Sequence, residues 1–468
     1  MASFASVEST ASVPLPKDPL LQVIGQKKAL ETALLAAKQR RHLLLVGPPG
    51  TGKSLLAKAL AKHLPKPTQE VSIAHNPEVP ERPTVEIRSK KEVEAEAKRL
   101  RKIEKTLEPK DVPFFVAEKL GFRCRKCGAL SRASEQSCPN CGSQKYGDPR
   151  MIVEPFVPTR LDKTETVRES EDGSEERIIY ERVGEKLRMV NKDLAEKEDS
   201  KKKLRKVIMP LERENFVSAT GASETELLGD VRHDPYGGHA QMGVQPYLRV
   251  VPGAVHEAHE GVLFIDELST LGQLQRYLLT AMQEKKYPIV GRNPQSAGAS
   301  VRVDAVPCDF VLVAASNIND LQSILPPLRS RIAGDGYEVL METTMPDTPE
   351  ARNELLQFVA QEIHKDGKIP HMSMDGVARI IQEAKQKAKD LDGKENSLTL
   401  RLREISGILR LAGDKAKNDK SPLIEAKHVQ QAVERGSIEE QLREQYGTGW
   451  GAGMREASRE KRDSKEIS

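Results

Sequence analysis

Aromatic residues make up only 4% of this 468-residue chain, with a single tryptophan, while charged residues make up 30%. That balance implies a largely solvated surface and stretches that pack poorly. Cysteine is scarce too: of five, four fall in one short cluster, which excludes a disulfide scaffold and fits a reducing cytosol. Charge of one sign is also missing. The 73 Lys+Arg against 69 Asp+Glu leave +4, which does not argue for wholesale nucleic-acid binding, although local basic patches remain open. No apolar run approaches the ~20 residues needed to span a bilayer. Met1 to Lys17 has no compact apolar stretch behind a basic start, so no secretory signal is expected and a soluble, cytoplasmic protein without membrane contact is.

What the chain does have is a phosphate cradle. His42-Leu43-Leu44-Leu45-Val46 reads as a buried parallel strand, and Leu55 to Leu60 has helical spacing. Between them lies Gly47-Pro48-Pro49-Gly50-Thr51-Gly52-Lys53-Ser54. Glycines let the backbone wrap so that successive N–H groups face phosphate oxygens, and the helix start adds a favourable dipole. Lys53 then meets the β and γ phosphates and the Ser54 hydroxyl ligates Mg²⁺.

A second strand, Gly261 to Ile265, ends in Asp266-Glu267. Asp266 is expected to hold the Mg²⁺ and Glu267 to orient the attacking water, against the blander reading of solvated strand-end acids. Phe310 to Ser316 is another buried strand, ending in Asn317, which either positions the γ-phosphate or water or simply makes an Asn turn. Arg329 and Arg331 in Leu328-Arg329-Ser330-Arg331-Ile332 invite an arginine-finger reading, in which a neighbouring subunit supplies positive charge to the transferring phosphoryl group. Cys308 reads as a buried thiol.

From Lys66 to Pro210 the texture changes to proline-rich and highly charged stretches, Lys90 to Lys105 and Lys163 to Arg205, read as solvated helices or coil within an insertion. Inside it, Cys124-Arg125-Lys126-Cys127 and Cys138-Pro139-Asn140-Cys141 place four thiolates for a closed tetrahedral zinc site, structural rather than catalytic, with redox dithiols or incidental cysteines as the alternatives. Arg123, Arg125, Lys126 and Arg132 beside it, and Arg292 and Arg302 in a hairpin over 287–303, are either nucleic-acid contacts or ordinary solvated charge. Tyr236, flanked by Pro235 and Gly237-Gly238, either grips an extended polymer or caps a turn. After Pro346 the pattern is helical: Arg352 to Ile363, Met374 to Ala388, Leu398 to Ala416 and Glu425 to Glu434, a small α-domain placed to cover a nucleotide.

In this order the parts resemble the AAA+ ATPases, and more narrowly the ATPase portion of archaeal Lon-type (LonB) proteases. The resemblance covers most of residues 20–442. It rests on Val23-Ile24-Gly25-Gln26, Leu228-Gly229-Asp230-Val231-Arg232-His233-Asp234-Pro235, Gly261 to Glu267, Leu278 to Lys286 and Leu328 to Ile332. It implies an α/β P-loop core of parallel sheet and helices with a C-terminal helical lid, ATP and Mg²⁺ as cofactors, and a homo-oligomeric ring, a hexamer. It implies Asn317 as sensor 1, Arg331 as arginine finger, Arg401 as sensor 2 with Arg403 its rival, and Tyr236 as the pore aromatic that grips protein substrates. The expected organisation is an N-terminal tail (1–19), a nucleotide-binding domain (20–65 and 211–345), an insertion (66–210) holding a zinc ribbon (122–143), a lid (346–437) and a C-terminal tail (438–468). Two departures from the pattern stand out: charged segments and a zinc ribbon replace the family's membrane helices, and only a short tail follows Leu442 where a Ser/Lys protease domain is usual. The expected activity is therefore ATP-driven remodelling, unfolding or translocation of protein, independently or for a separate protease, without proteolysis by this chain. The alternative is a motor acting on nucleic acid.

Overall fold

The protein is described here by a computed structural model, which defines residues 8–145, 162–169, 175–192, 204–233, 244–291 and 301–434. At its centre is a five-stranded parallel sheet in the order Gly336–Leu340, His42–Val46, Val311–Ser316, Val262–Ile265, Phe216–Ser218. Strands in such a sheet are covered on both faces, which is why they read as unbroken apolar runs. Successive side chains alternate between faces. Leu43, Leu45, Phe264 and Val313 pack under the helices Lys27–Gln39 and Lys53–Lys62, through Ala29, Ala33, Leu56 and Leu60. Leu44, Leu263, Ile265 and Leu312 face the helices Leu274–Glu284 and Pro326–Asp335, through Leu278, Met282, Leu328 and Ile332. Because all the strands run the same way, the segments after Val46, Ile265 and Ser316 emerge together at one edge, where ligands bind in open α/β sheets.

The C-terminal helices Pro349–Asp366, Met374–Asp392, Leu402–Asn418 and Ala426–Glu434 enclose their own core around Leu355, Val359, Ile380, Leu409 and Val429. Thr348 and Ser373 cap two of them by accepting the N–H groups of Ala351 and Gly376. The expected helix from Leu398 is corrected at its start: Ser397–Thr399 is a strand antiparallel to Thr344–Pro346, and the helix begins at Leu402. Leu398 and Leu400 are both fully buried, and the Leu400 N–H donates to the Thr343 carbonyl at 2.7 Å. Tertiary pairing overrides a sequence that is helical by spacing.

The charged region is also corrected. Gln69–Ala74 pairs antiparallel with Thr84–Ser89 on one side and Arg205–Met209 on the other. Beyond the helix Lys90–Ile103, a four-stranded antiparallel sheet runs Glu104–Leu107, Lys186–Asn191, Glu175–Val183, Lys163–Glu169. Charge dominates these strands, yet Ile178, Tyr180 and Leu187 point to one face and are buried with Val116, Leu120 and Phe122. The half-buried alternation was hidden by the number of charges on the other face. Arg88 pairs with Glu70 and Glu96, and Arg205 reaches Glu96 at 2.6 Å, so the charged helix is tied down by ion pairs at its inner side. The hairpin joins Lys286–Val290 to Arg302–Pro307. Among the described residues no helix is long and apolar enough to cross a membrane.

Candidate active site

The loop from Gly47 to Gly52 leaves the strand His42–Val46 and turns directly into the helix Lys53–Lys62. Gly52 sits at φ +88°, and Gly50 at φ +83° has no room for a side chain, since an added Cβ would lie 2.8 Å from Cβ of Arg403. Lys53 is buried, and its Nζ donates to the carbonyls of Gly47 at 2.8 Å and Pro48 at 2.9 Å. Burial lowers its pKa, Arg403 adds to that, and Asp266 and Glu267 oppose it. The lysine therefore sits between two carboxylates and a guanidinium.

Those carboxylates follow the strand Val262–Ile265. The Asp266 N–H donates to Thr220 Oγ1 at 3.1 Å, and the Glu267 N–H to Asp266 Oδ1 at 3.1 Å. Glu267 has φ +52°, rare for a residue with a side chain, and its carbonyl accepts from Thr270 Oγ1 at 2.8 Å. Asn317 follows Val311–Ser316, with Nδ2 3.3 Å from Asp320 Oδ2.

A cleft of about 530 Å³ gathers these groups: Pro49 to Ser54, Asp266, Glu267 and Asn317 from the sheet's edge, and Arg403 from the helical domain. Two helical faces close it, Phe358, Gln361, Glu362 and Lys365 on one and Arg403, Ser406, Gly407 and Arg410 on the other. Both sets follow the i, i+3, i+4, i+7 spacing of one helix face, the only sequence signal for them, and it does not tell a cleft from a core. A further residue passed over is Gln26. Its buried amide donates to the Glu342 carbonyl at 2.8 Å and lies 3.4 Å from that of Thr51, while its Oε1 accepts the Glu342 N–H at 3.0 Å. It thus braces the glycine loop against the chain leaving the edge strand.

Two of the expected residues do not line this cleft. Arg401 does not line the cleft: it pairs with Asp392 at 2.9 Å, whereas Arg403, two positions on, does line it. Arg331 pairs with Asp335 at 2.8 Å and lines a separate cavity of about 490 Å³ with Arg41, His42 and Asp309. Arg329 is held by Glu338 at 2.9 and 3.1 Å. Tyr236, Arg292 and residues 435–468 lie outside the described residues. Arg302, the described basic residue of the hairpin reading, donates to Asp304 at 2.5 Å.

The four clustered cysteines converge. Cys124 and Cys141 Sγ are 3.6 Å apart, as are Cys127 and Cys138, and all four sulfurs lie within 4.8 Å of one another. Tetrahedral zinc with Zn–S bonds of about 2.3 Å needs S···S edges of about 3.8 Å. Two matching turns shape the site: the Gly128 N–H donates to the Cys124 carbonyl and the Gly142 N–H to the Cys138 carbonyl, each at 2.8 Å. The donor set and its spacing fit zinc with no open coordination position. The turns pack on a small apolar core of Val112, Leu120, Phe122, Ala133, Tyr180 and Leu187, so a metal here adds to a core rather than replacing one.

Strand order, glycine loop, strand-end carboxylates and helical lid together define an AAA+ P-loop ATPase. Residues 19–105 match the magnesium chelatase subunit ChlI family, 248–322 the sigma-54 interaction domain, and 371–437 the AAA+ ATPase LID domain of archaeal LonB. Over 98% of its length the chain is 52% identical to a putative lon protease homolog of Thermoplasma volcanium, covering 96% of that protein. A putative lon protease homolog of Thermoplasma acidophilum is 53% identical over 94% of the chain and 92% of its own length. With the archaeal Lon protease of Archaeoglobus fulgidus the identity is 41% over 94% of this chain, which spans 64% of that protein. The chain belongs to this archaeal Lon family of AAA+ ATPases.

Proposed function

We propose that the protein hydrolyses Mg·ATP to remodel, unfold or translocate protein substrates, working as a hexameric ring either alone or beside a separate protease. The observation that carries this reading is the convergence on one cleft of Lys53, Ser54, Asp266, Glu267, Asn317 and Arg403, between the sheet's edge and the helical lid. The residues fit the nucleotide: a glycine loop with no room for side chains at Gly50, an ammonium, a hydroxyl at a helix start, and two adjacent carboxylates. Mg²⁺ bound here would neutralise developing charge on the phosphoryl oxygens. Ser54 and Asp266 would hold the metal, Lys53 would move from the Gly47 and Pro48 carbonyls to the phosphates, Asn317 would align the attacking water, and Glu267 would accept its proton. Arg403, reaching in from the lid, senses the same phosphates and passes their presence to the helical domain.

Arg331 lies on a cavity of its own and not on this cleft, which supports its donation to the site of a neighbouring subunit. Tyr236 is assigned to the substrate pore on the family resemblance. The zinc site is assigned a structural role.

The test measures ATP turnover with and without an unfolded protein such as denatured casein, and in parallel with single-stranded DNA. Stimulation by the unfolded protein is expected. Stimulation by DNA alone, falling steeply as salt rises, would replace this reading with a nucleic-acid motor.

A further inference from the structure

Phe114 and Phe115 are about half exposed, at 49% and 48%, as is Leu130 at 46%. Phe114 and Phe115 are two of the nine phenylalanines in the chain, so scarce aromatic area is left on the surface. Phe114 and Leu130 are joined through Arg123, and Phe115 follows Phe114 on the same short helix. Gly128 lies against Phe114, an added Cβ there being 3.5 Å from the ring. The Arg123 guanidinium sits 5.0 Å from the Phe114 ring centre, and Arg123 faces Leu130 across an antiparallel bridge; residues so opposed share a face. The patch is firmly based: the same helix, Phe114–Lys119, buries Val116 and Ala117, and Phe122 anchors the first cysteine turn.

Its rim is basic. Between Val112 and Arg132 the sequence holds Lys119, Arg123, Arg125, Lys126 and Arg132 against a single acid, Glu118, which pairs with Arg125 at 3.6 Å. Lys126 and Arg132 are exposed.

We infer that the Phe114–Phe115–Leu130 surface beside the cysteine cluster is a docking site for an extended protein segment that is acidic and rich in apolar side chains. Apolar side chains of the segment cover the exposed phenylalanines and leucine while its carboxylates meet Arg123, Lys126 and Arg132. Arg123 lies over the Phe114 ring and so reduces the ring face open to a stacking base; a nucleic acid is the competing occupant that the oligothymidylate probe tests. The inference goes beyond the ATPase reading and is read without nucleotide, so either fails without the other.

The experiment uses the full chain with its metal bound and follows fluorescence anisotropy of a labelled synthetic peptide of alternating Asp and Leu. A peptide with Lys in place of Asp and a labelled oligothymidylate are the comparison probes. The Asp–Leu peptide is expected to bind. The pair Phe115→Ser with Leu130→Ser should weaken it about tenfold or more, and Lys126→Glu with Arg132→Glu, which leaves the apolar residues untouched, should weaken it too, metal content being unchanged in both. Equal affinity in the variants, preference for the Lys peptide, or binding of oligothymidylate alone would overturn the proposal.

Discussion

Arg401 and Asp392 form a two-pronged pair, Nη2 donating to Oδ1 at 2.9 Å and Nε to Oδ2 at 3.4 Å, and this pair turns Arg401 away from the cleft that Arg403 enters. The Asp392 side chain is only 10% exposed, so removing its partner strands a carboxylate near the protein interior. Arg401→Ala is expected to cost about 1–3 kcal/mol of stability while leaving turnover per folded molecule nearly unchanged. Arg403→Ala should do the reverse, keeping the melting temperature and lowering ATP turnover about tenfold or more. Thermal unfolding and steady-state kinetics on both variants decide it; the opposite pattern would return the sensing role to Arg401.

Gly25 and Leu400 give a second expectation. Gly25 has φ +66°, its N–H donates to Glu354 Oε2 at 2.9 Å, and an added Cβ would lie 2.4 Å from Leu400 Cδ2. The residue is a joint between the nucleotide-binding core and the lid. Gly25→Ala should destabilise by about 1–3 kcal/mol through backbone strain and the clash. Adding Leu400→Ala removes the clash but not the strain, so the double variant should melt between the wild type plus the Leu400→Ala loss and a simple sum of the two losses. Strict additivity would show that the two residues do not meet.

These two cases mark the division between what sequence conveys and what it does not. The glycine loop, the acids after Ile265, the strand ending at Ser316 and the four cysteines were legible because each chemistry fixes residue types at short spacing. Arg401 and Arg403 are not separable in sequence, since they flank the first residue of one helix and only the position of Asp392, in another helix, sets them apart. The bracing by Gln26 was equally hidden, because its partners Thr51 and Glu342 are distant in sequence. The strands of 163–191 are hidden in the sequence for a different reason: their buried residues are few, and charge on the solvent face swamps a period of two.

His256 supplies a pH dependence. It is fully buried; Nδ1 accepts the Gly253 N–H at 3.3 Å, leaving Nε2–H to donate to the Tyr287 carbonyl at 3.0 Å. A proton on Nδ1 would face another donor, and burial is the main cause of a pKa lowered from 6.5 to about 4, with the neighbouring His259 acting in the same direction. The folded protein thus binds fewer protons than the unfolded chain between these values, so stability is fully present above pH 6.5 and declines as pH falls toward 4. His42, lowered to about 4 chiefly by burial, acts in the same direction. Urea midpoints should drop between pH 7.5 and 4.5, corresponding to a loss of about 2–3 kcal/mol from His256, and His256→Gln should flatten the curve. A midpoint that rises on acidification would contradict this account.

Cysteine substitution tests the metal site apart from ATP chemistry. Cys138→Ser is expected to abolish stoichiometric zinc and open the turns around Cys124 and Cys138 to protease, since metal binding and local folding are linked. The apolar cluster below the turns is separate from the cores that carry the cleft. ATP binding should therefore persist. Elemental analysis, limited proteolysis and nucleotide titration on one preparation read all three. Retention of one zinc per chain in the variant would rule out a four-cysteine site.

Glu267 is held at φ +52° between the carboxylate of Asp266, which accepts its N–H, and Thr270, which donates to its carbonyl. Strain at a non-glycine residue persists only where the surroundings impose it, and here it displays the carboxylate at the cleft's edge. Glu267→Gln keeps the shape and removes the proton acceptor, so ATP affinity should stay within about twofold while turnover falls roughly 10²–10⁴-fold. A change to alanine would also remove the side chain's bulk, so the glutamine variant is the cleaner comparison. Asp266→Asn should differ in kind, weakening the Mg²⁺ dependence of binding rather than only the chemical step. If Glu267→Gln turns over ATP at the wild-type rate, proton transfer runs through another group and the assignment of Glu267 fails, even though the cleft still binds nucleotide.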